Sequence, residues 1–337
     1  MNKRLPLVDR LTENDAGLYI ADNMNPPPAE KKDNVIQFEI TSGCSWNACT
    51  YCSMYKGTKY QEKSLPEFKE HVDKVWAAVT EREGNRVKGL ERIFIGGGNA
   101  LCADVEVLNE AIRYSVQSFR GNVGRLPKRV ALYGNTRDIK NKVNDLRFLN
   151  CGGISGNCSI DRFGTKIGLG VLYWGMESGS TKVLQFANTG YSKEDIASTI
   201  DQLVYSGIRV SAMIMPGLGG MRFWKSHVKD TADVLNRLLP EWVTFIGLKT
   251  SPDDIYSRRM ANEHGHNRNL TPEEISLQTA EMIERLDFTT TIGIHGEDVH
   301  TFGSNLVTFG AVKINGHYNA HNLASRIRQK VKDLEPQ

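Results

Sequence analysis

Three cysteines lie close together in one short segment of this sequence. They are Cys44, Cys49 and Cys52, in the run Gly43-Cys-Ser-Trp-Asn-Ala-Cys-Thr-Tyr-Cys. Three thiolates at this spacing can hold three corners of a cubane [4Fe–4S] cluster and leave one iron without a protein ligand. Electron-transfer clusters have four cysteine ligands and no open site. The triplet therefore predicts an iron–sulfur centre whose open iron binds a second molecule.

Zinc is the alternative metal for these thiols. A structural zinc site needs four ligands, commonly from two CxxC pairs. Cys49 and Cys52 form the one CxxC pair in the sequence, so a distant histidine would have to supply a further ligand. Three thiols therefore fit an iron–sulfur cluster better than a four-ligand zinc site, which remains the alternative.

Six short apolar segments are rich in residues that favour β-strands, and we predict that these strands position the cysteine segment. They are Val35–Thr41, Arg92–Ile95, Arg129–Tyr133, Leu169–Trp174, Ile208–Met215 and Trp242–Leu248. Segments with helical spacing lie between them, which predicts parallel βαβ units. The expected fold class is α/β, a partial (β/α)6 TIM-type barrel, and an open doubly wound sheet is the alternative. Ligands of such barrels bind at the carboxyl ends of the strands.

The sequence divides into three predicted parts. Residues 1–34 form an N-terminal lead-in that ends in a proline-rich segment, and residues 35–250 form the core barrel. Residues 251–337 form a C-terminal α+β extension that covers the barrel mouth. The extension contains a helix from Thr271, a strand-like Thr289–Ile294 and a polar helix from about Asn319.

Several motifs, taken in order, resemble those of the radical S-adenosylmethionine (SAM) superfamily. The cysteine segment resembles its CxxxCxxC motif with one extra residue, CxxxxCxxC. Gly96-Gly97-Gly98-Asn99 resembles its GGE-type turn, and Gly175–Ser180 resembles its G-[LM]-E-S-G-S run. Met213–Gly220 ends in Gly-Leu-Gly-Gly. It resembles the segment with this ending in one branch of the superfamily, often labelled oxygen-independent coproporphyrinogen III oxidase-like.

This resemblance implies an oxidoreductase or transferase with a [4Fe–4S] cluster and SAM as cofactors. The cluster would lie on Cys44, Cys49 and Cys52, and an electron donor such as flavodoxin or ferredoxin would reduce it. Thr189 stands where proteins of this superfamily usually have a basic residue. Arg137 and Arg209 are therefore the candidates for binding the SAM carboxylate. The predicted cofactor-binding residues are Tyr51, Gly96, Gly97, Gly98, Asn99, Asn135, Arg137, Glu177, Ser178, Arg209, Met215 and Pro216.

Other reactive residues have less defined roles. Cys102, Cys151 and Cys158 suit buried thiols better than an auxiliary cluster, which usually needs more cysteines. His295 follows a strand-like run, so we predict that it is a catalytic residue. His227 lies in an amphipathic segment and is predicted to be structural. Glu297, Asp298 and His300 are further candidates for substrate binding or acid–base chemistry, with solvated loop residues as the alternative. We favour that alternative for His264 and His266.

The composition is that of an ordinary soluble globular protein. The 337 residues carry a formal net charge of +3, which does not point to nucleic acid, and a small-molecule substrate is expected. Modification of RNA or of a peptide is the alternative. No apolar run approaches a membrane span and no signal peptide is apparent, so we expect a cytoplasmic protein without a membrane partner.

Overall fold

Eight strands of the computed structural model form one mostly parallel sheet. The structure describes residues 27, 30, 34–142, 145–150, 168–251, 254–262, 267–296 and 310–333. In chain order the strands are β1 (Val35–Glu39), β2 (Thr41–Ser42), β3 (Gln61–Glu62), β4 (Arg92–Gly96), β5 (Arg129–Asn135), β6 (Leu169–Glu177), β7 (Arg209–Ile214), β8 (Trp242–Gly247), β9 (Thr289–Gly296) and β10 (Gly310–Asn315). The large sheet has the order β1-β4-β5-β6-β7-β8-β9-β10, and β2 pairs with β3 in a second sheet.

This strand order confirms the predicted α/β class. All six predicted strands are present, and the pairs β1–β4, β4–β5, β7–β8 and β8–β9 are parallel. The order never reverses along the chain, whereas a doubly wound sheet has a point of reversal. The sequence alternative is therefore wrong, and the topology is that of the predicted barrel class.

Helices fill most of the connections between the strands. They are α1 (Leu65–Glu83), α2 (Val105–Val123), α3 (Thr136–Asn141), α4 (Asp145–Asn150), α5 (Thr181–Ala187), α6 (Lys193–Ser206), α7 (Trp224–Leu238), α8 (Ile255–Asn262), α9 (Pro272–Glu284) and α10 (Gly316–Lys332). Within the described ranges, none of these helices is long and apolar enough to cross a membrane.

The chain divides into two compact units. Unit 1 comprises Met1–Asn47, Met54–Tyr173 and Gln202–Arg209, and unit 2 comprises the rest. This division passes through the predicted core at residues 35–250. The three-part division of the sequence therefore stays a prediction.

Aromatic packing joins α1 to the first strand in unit 1. A capping box of Ser64 and Glu67 starts the helix, and its apolar face is buried. The ring of Phe38 on β1 lies 6.5 Å from that of Phe68 and 6.3 Å from that of Trp76. These edge and tilted contacts fix the strand that leads to the cysteine segment.

The C-terminal region extends the sheet in unit 2. Helix α9 begins with the predicted signal, a capping box of Thr271 and Glu274. The predicted strand at Thr289–Ile294 is β9, which pairs with β8. The sequence analysis missed β10, which pairs antiparallel with β9, and the final helix begins at Gly316.

Several sequence candidates lie outside the described residues. They are most of the lead-in at residues 1–34 together with Cys151, Cys158, His264, His266, Glu297, Asp298 and His300.

Candidate functional site

The glycine turn after β4 packs against the backbone that leads to Cys44. A Cβ atom on Gly98 would lie 1.8 Å from the carbonyl oxygen of Gly43, and one on Gly97 would lie 1.8 Å from that of Thr41. Gly97 also has a φ of +117°, which L side chains rarely adopt. The Gly96 carbonyl accepts a hydrogen bond from the Ile40 N–H (3.2 Å). Only glycine fits this turn, and the turn fixes the approach to Cys44.

A buried carboxylate lies beside this turn. Asp138 is 7% exposed, and its side chain accepts hydrogen bonds from the Asn99 amide and from the Cys102 thiol, the latter at 2.9 Å. Cys102 also contacts Ser45 (3.0 Å), the residue after Cys44. Burial, followed by the Asp138 charge, raises the pKa of the Cys102 thiol to about 12. Asn99 stands near the usual acidic position, and Asp138 supplies an acidic group next to it.

An arginine stacks on the cysteine segment in unit 1. The guanidinium carbon of Arg137 lies 4.3 Å from the centroid of the Trp46 ring. The Arg137 Nε is buried and has no hydrogen-bond partner among the described residues. A buried cationic donor without a partner fits an anionic group such as a carboxylate.

Asn135 has a structural task. It is the N-cap of α3, and its side-chain oxygen accepts from the N–H groups of Arg137 (3.0 Å) and Asp138 (3.1 Å). The predicted contact between Asn135 and the ribose or substrate would have to use its amide nitrogen. The cap orients the two charged residues that follow it.

The segment that carries Cys49 and Cys52 is anchored to the end of α5 in unit 2. The Thr50 N–H donates to the Ala187 carbonyl (3.0 Å), and the Asn188 side chain donates to the Ala48 carbonyl (2.8 Å). Asn188 adopts a left-handed conformation with φ of 54°, which ends the helix and points the chain back to this segment.

Tyr51 brings the cysteine pair and Glu177 into one environment. Burial raises the pKa of the Tyr51 hydroxyl well above its ordinary value, and the charges of Glu177, Cys49 and Cys52 raise it further. The ring packs on an apolar cluster that includes Phe186, and Met215 packs against the same cluster. Unit 2 thus assembles five residues that the sequence analysis assigned to the cofactors.

Glu177 has a strained backbone at the end of β6. Its φ is +61°, and the Ser178 N–H donates to the Met176 carbonyl at 2.7 Å, which closes a three-residue turn. Such a γ-turn with positive φ is rare for a residue other than glycine. The Met215 N–H donates to the Glu177 carbonyl (3.0 Å). Strain of this kind is typical of functional positions.

A buried hydrogen-bond network connects the residues that follow Glu177 to the turn after β7. His227 Nε2 donates to the Met215 carbonyl (3.0 Å), and its Nδ1 accepts from the Ser178 hydroxyl (2.8 Å). Burial lowers the pKa of His227 to about 4, so the ring is neutral at physiological pH. The Ser178 hydroxyl also accepts from the Ser180 N–H (3.0 Å). These bonds fix the Ser178 side chain in place, and its predicted contact with SAM stays a prediction, as does the structural role of His227.

The turn after β7 lies beside these residues. Pro216 follows Met215, and the Pro216 carbonyl accepts from the Leu248 N–H (2.9 Å). Gly217 has a φ of +94°, and its N–H donates to the Gln278 side chain (2.7 Å). This turn holds the Met215 side chain against the Tyr51 cluster.

Arg209 lies at the start of its strand, and its predicted role as a SAM ligand stays a prediction. It is the first residue of β7, whereas the other candidates follow the carboxyl ends of strands. Its side chain donates to the Gly170 carbonyl near the start of β6 (3.4 Å). Because a parallel strand of six residues is about 20 Å long, the two ends lie at opposite edges of the sheet.

Thr189 and His295 complete the set of predicted positions. Thr189 is buried, and its hydroxyl donates to the Leu184 carbonyl (3.3 Å). His295 lies near the carboxyl end of β9, where its backbone is in register with Ile246 of β8. This is the strand end that the sequence analysis predicted, and its catalytic role stays a prediction.

The cysteines themselves are thiols in different units. Cys44 belongs to unit 1, and Cys49 and Cys52 belong to unit 2. All three are partly exposed and none forms a disulfide. Among the residues the structure describes, no three histidine, cysteine, aspartate or glutamate side chains form a preassembled metal site. The assignment of the triplet to a metal centre therefore depends on its sequence spacing.

Comparisons with known proteins identify the fold. No family model matches the sequence, and no curated protein matches it significantly. The Elp3 structure from the archaeon Methanocaldococcus infernus has a TM-score of 0.53 at 14% identity, over 90% of this chain and 64% of that one. A radical SAM methyltransferase from Sphaerobacter thermophilus has a TM-score of 0.50 at 15% identity, over 82% and 70% of the two chains. The fold is that of radical SAM proteins, which confirms the resemblance at the level of the fold.

The chain is shorter than some of these proteins. It spans 64% of the Elp3 structure and 39% of the radical SAM methyltransferase TsrM from Kitasatospora setae, which is similar over 68% of this chain with a TM-score of 0.46 and 15% identity. That structure holds cobalamin and a [4Fe–4S] cluster. The finer resemblance to the coproporphyrinogen oxidase-like branch stays a prediction.

Proposed function

We propose that the chain is a radical SAM enzyme with a [4Fe–4S] cluster on Cys44, Cys49 and Cys52. The observation that carries the proposal is the environment of Tyr51. Tyr51, which stands between Cys49 and Cys52 in the chain, packs on the same apolar cluster as Met215. The Met215 N–H in turn donates to the carbonyl of Glu177 (3.0 Å), the residue that resembles the SAM-contacting glutamate. One small region of unit 2 thus contains two of the proposed cluster ligands and a cofactor-binding carboxylate.

The residues fit SAM chemically. The Glu177 carboxylate would accept hydrogen bonds from the SAM amino group or ribose hydroxyls, and Tyr51 and Met215 would offer apolar surface to the adenine. The unpartnered Nε of Arg137 suits the SAM carboxylate. A cluster held by Cys44, Cys49 and Cys52 would supply the electron for reductive cleavage of SAM, and the resulting 5′-deoxyadenosyl radical would take hydrogen from the substrate.

A small molecule is the proposed substrate. The near-neutral net charge of +3 supports it over RNA, which generally selects a strongly basic surface. A soluble electron donor such as flavodoxin or ferredoxin would reduce the cluster, and we place the reaction in the cytoplasm.

Anaerobic reconstitution tests the proposal. The protein is loaded with iron and sulfide and incubated with SAM and dithionite, and the products are separated by chromatography. We expect 5′-deoxyadenosine and about four irons per chain. Cys49→Ala should lose the iron, whereas Cys102→Ala should keep it. Zinc without acid-labile sulfide would instead identify a zinc-stabilised protein, and methylthioadenosine as product would contradict the proposed bond cleavage.

A further inference from the structure

One buried carboxylate in unit 1 has no role in the proposed function. Glu30 precedes the first strand and is 0% exposed. Its Oε1 accepts hydrogen bonds from the Arg129 guanidinium and from the Tyr173 hydroxyl, the latter at 2.5 Å. The Nη1 atom of Arg92 lies 3.5 Å from its Oε2. A carboxylate so deeply buried is costly unless it is paired, and these three side chains pair it.

The donors and the carboxylate come from different parts of the chain. Arg92 and Arg129 are the first residues of β4 and β5, and Tyr173 lies on the next strand of the sheet, β6. The Tyr173 ring packs edge-on against Phe94 of β4, with 6.2 Å between the centroids. Adjacent strands of unit 1 therefore build a set of two guanidiniums and one hydroxyl, which matches a carboxylate. The segment before the sheet supplies the occupant.

Glu30 satisfies this donor set only in part. Both of its side-chain hydrogen bonds go to Oε1, and Oε2 has no hydrogen-bond partner among the described residues. Gln37 of β1 donates to the Glu30 carbonyl (3.2 Å), and its own side-chain oxygen is buried without a partner in the same part of the chain. A free carboxylate is not tethered to the backbone. It can therefore present both oxygens to the two guanidiniums.

Arg129 connects the buried carboxylate with the surface. Its side chain is 16% exposed, and it contributes to the lining of a cleft of about 390 Å³ in unit 1. The lining also includes Val130 and Gly170, and the volume is within the range of small-ligand sites. A small ligand in this cleft would reach Arg129.

We propose that Arg92, Arg129 and Tyr173 form a binding site for the carboxylate group of a small molecule, and that Glu30 occupies it as a built-in ligand. The tethered side chain has a high effective concentration, so it excludes free carboxylates from the parent protein. Removal of the Glu30 side chain opens the site. The inference does not depend on the cluster or on SAM.

Chemical rescue of the full chain tests this proposal. Glu30→Ala vacates a space that acetate fits, and Glu30→Gly vacates one that propionate fits. Both variants should unfold roughly 8 °C below the parent, because two largely buried guanidiniums lose their carboxylate. Each matched anion, at ten times its dissociation constant, should restore about 3 °C. Sodium chloride at equal ionic strength should not.

The size of the anion distinguishes a site from a general salt effect. Acetate should bind Glu30→Ala about fivefold more tightly than propionate does, and the order should reverse in Glu30→Gly. The double variant Glu30→Ala/Arg129→Gln should bind acetate at least about tenfold more weakly than Glu30→Ala. Glu284→Ala is the matched control, since it removes a carboxylate from a partly exposed pair with Arg328. It should respond to acetate like the parent.

A variant that folds only in its matched anion would support the proposal, with circular dichroism as the measurement. Equal responses to acetate in the parent, Glu284→Ala and Glu30→Ala would overturn it. So would the same order of acetate and propionate in both Glu30 variants, or the failure of both variants to gain stability or folded protein in either anion. Glu30 would then be a structural ion pair.

Discussion

At the scale of single residues, the Asp138 carboxylate affects the pKa of the neighbouring Cys102 thiol. This buried carboxylate holds the Asn99 amide and the Cys102 thiol, and both lie beside Ser45. A thiol hydrogen-bonded to a carboxylate stays protonated, because its thiolate would face a like charge. We therefore expect Cys102 to be an unreactive thiol.

Asp138→Asn should make Cys102 more reactive. Burial is the largest cause of its raised pKa of about 12, and the Asp138 charge is the next. Removal of the charge lowers the pKa, so the thiolate fraction at pH 9 should rise severalfold. Rates of iodoacetamide alkylation, measured by peptide mass spectrometry, check this.

Ser45→Ala is the matched control for that experiment. The hydrogen bond from Ser45 lowers the Cys102 pKa, so its loss should slow alkylation. Equal rates in the parent and the Asp138→Asn variant would contradict the account.

At the scale of elements, each unit has one turn that positions candidate residues. The turn after β4 fits against the cysteine segment because it has no side chains, and the turn after β6 presents Glu177 through a strained conformation.

Gly98→Ala should disrupt the cysteine segment. Its new Cβ would overlap the Gly43 carbonyl, which costs roughly 1–3 kcal/mol of unfolding free energy and displaces Cys44. Urea unfolding and iron content measure the two effects. Gly121→Ala in α2 is the control, since a Cβ there meets no atom within 4 Å. It should stabilise the protein by about 0.5 kcal/mol and keep the iron.

Two variants, Glu177→Gly and Glu177→Gln, separate the backbone strain at residue 177 from the proposed role of its carboxylate in SAM binding. Both remove the carboxylate, and we expect both to weaken SAM binding to the reconstituted protein about tenfold. Glycine relieves the positive φ, so the glycine variant should be about 1 kcal/mol more stable than the glutamine variant. Equilibrium dialysis and thermal unfolding provide the two values. Equal stabilities would show that the turn is unstrained.

At the scale of the whole molecule, two buried neutral histidines make folding sensitive to acid. Burial lowers the pKa of His227 to about 4, and burial with two nearby lysines lowers that of His71 to about 3. The unfolded chain takes up these protons near pH 6.5, whereas the folded chain does not. Stability is therefore constant with respect to these groups above pH 6.5 and falls as the pH drops towards 4.

His227→Gln should reduce this pH dependence. The His227 contribution to the loss of unfolding free energy between pH 6.5 and 4 is roughly 3 kcal/mol, and the variant lacks it. Urea unfolding of the cluster-free protein at pH 7, 5.5 and 4.5 gives the slopes. Parallel slopes in parent and variant would contradict the assignment.

The sequence predicted the parallel sheet well because its strands are apolar runs with clear turns between them. It missed β10, since GAVKIN contains a lysine and pairs with β9 across a long connection. The cysteine, glycine and glutamate motifs were visible because they are local in sequence. The sequence did not reveal the roles of Asp138 and Trp46, because Asp138 contacts Asn99 and Trp46 contacts Arg137, which are distant in the chain. The sequence did not show that Arg209 begins its strand, because the boundary of a strand is poorly defined by an apolar run.

Electron paramagnetic resonance of the reconstituted, dithionite-reduced protein tests the central claim most directly. The account predicts the signal of a reduced [4Fe–4S] cluster whose g values change when SAM is added, because SAM would bind the iron that the three cysteines leave open. The signal should be absent from the Cys44→Ala/Cys49→Ala/Cys52→Ala variant. A protein that takes up no iron, or a cluster signal that SAM does not change, would contradict the account.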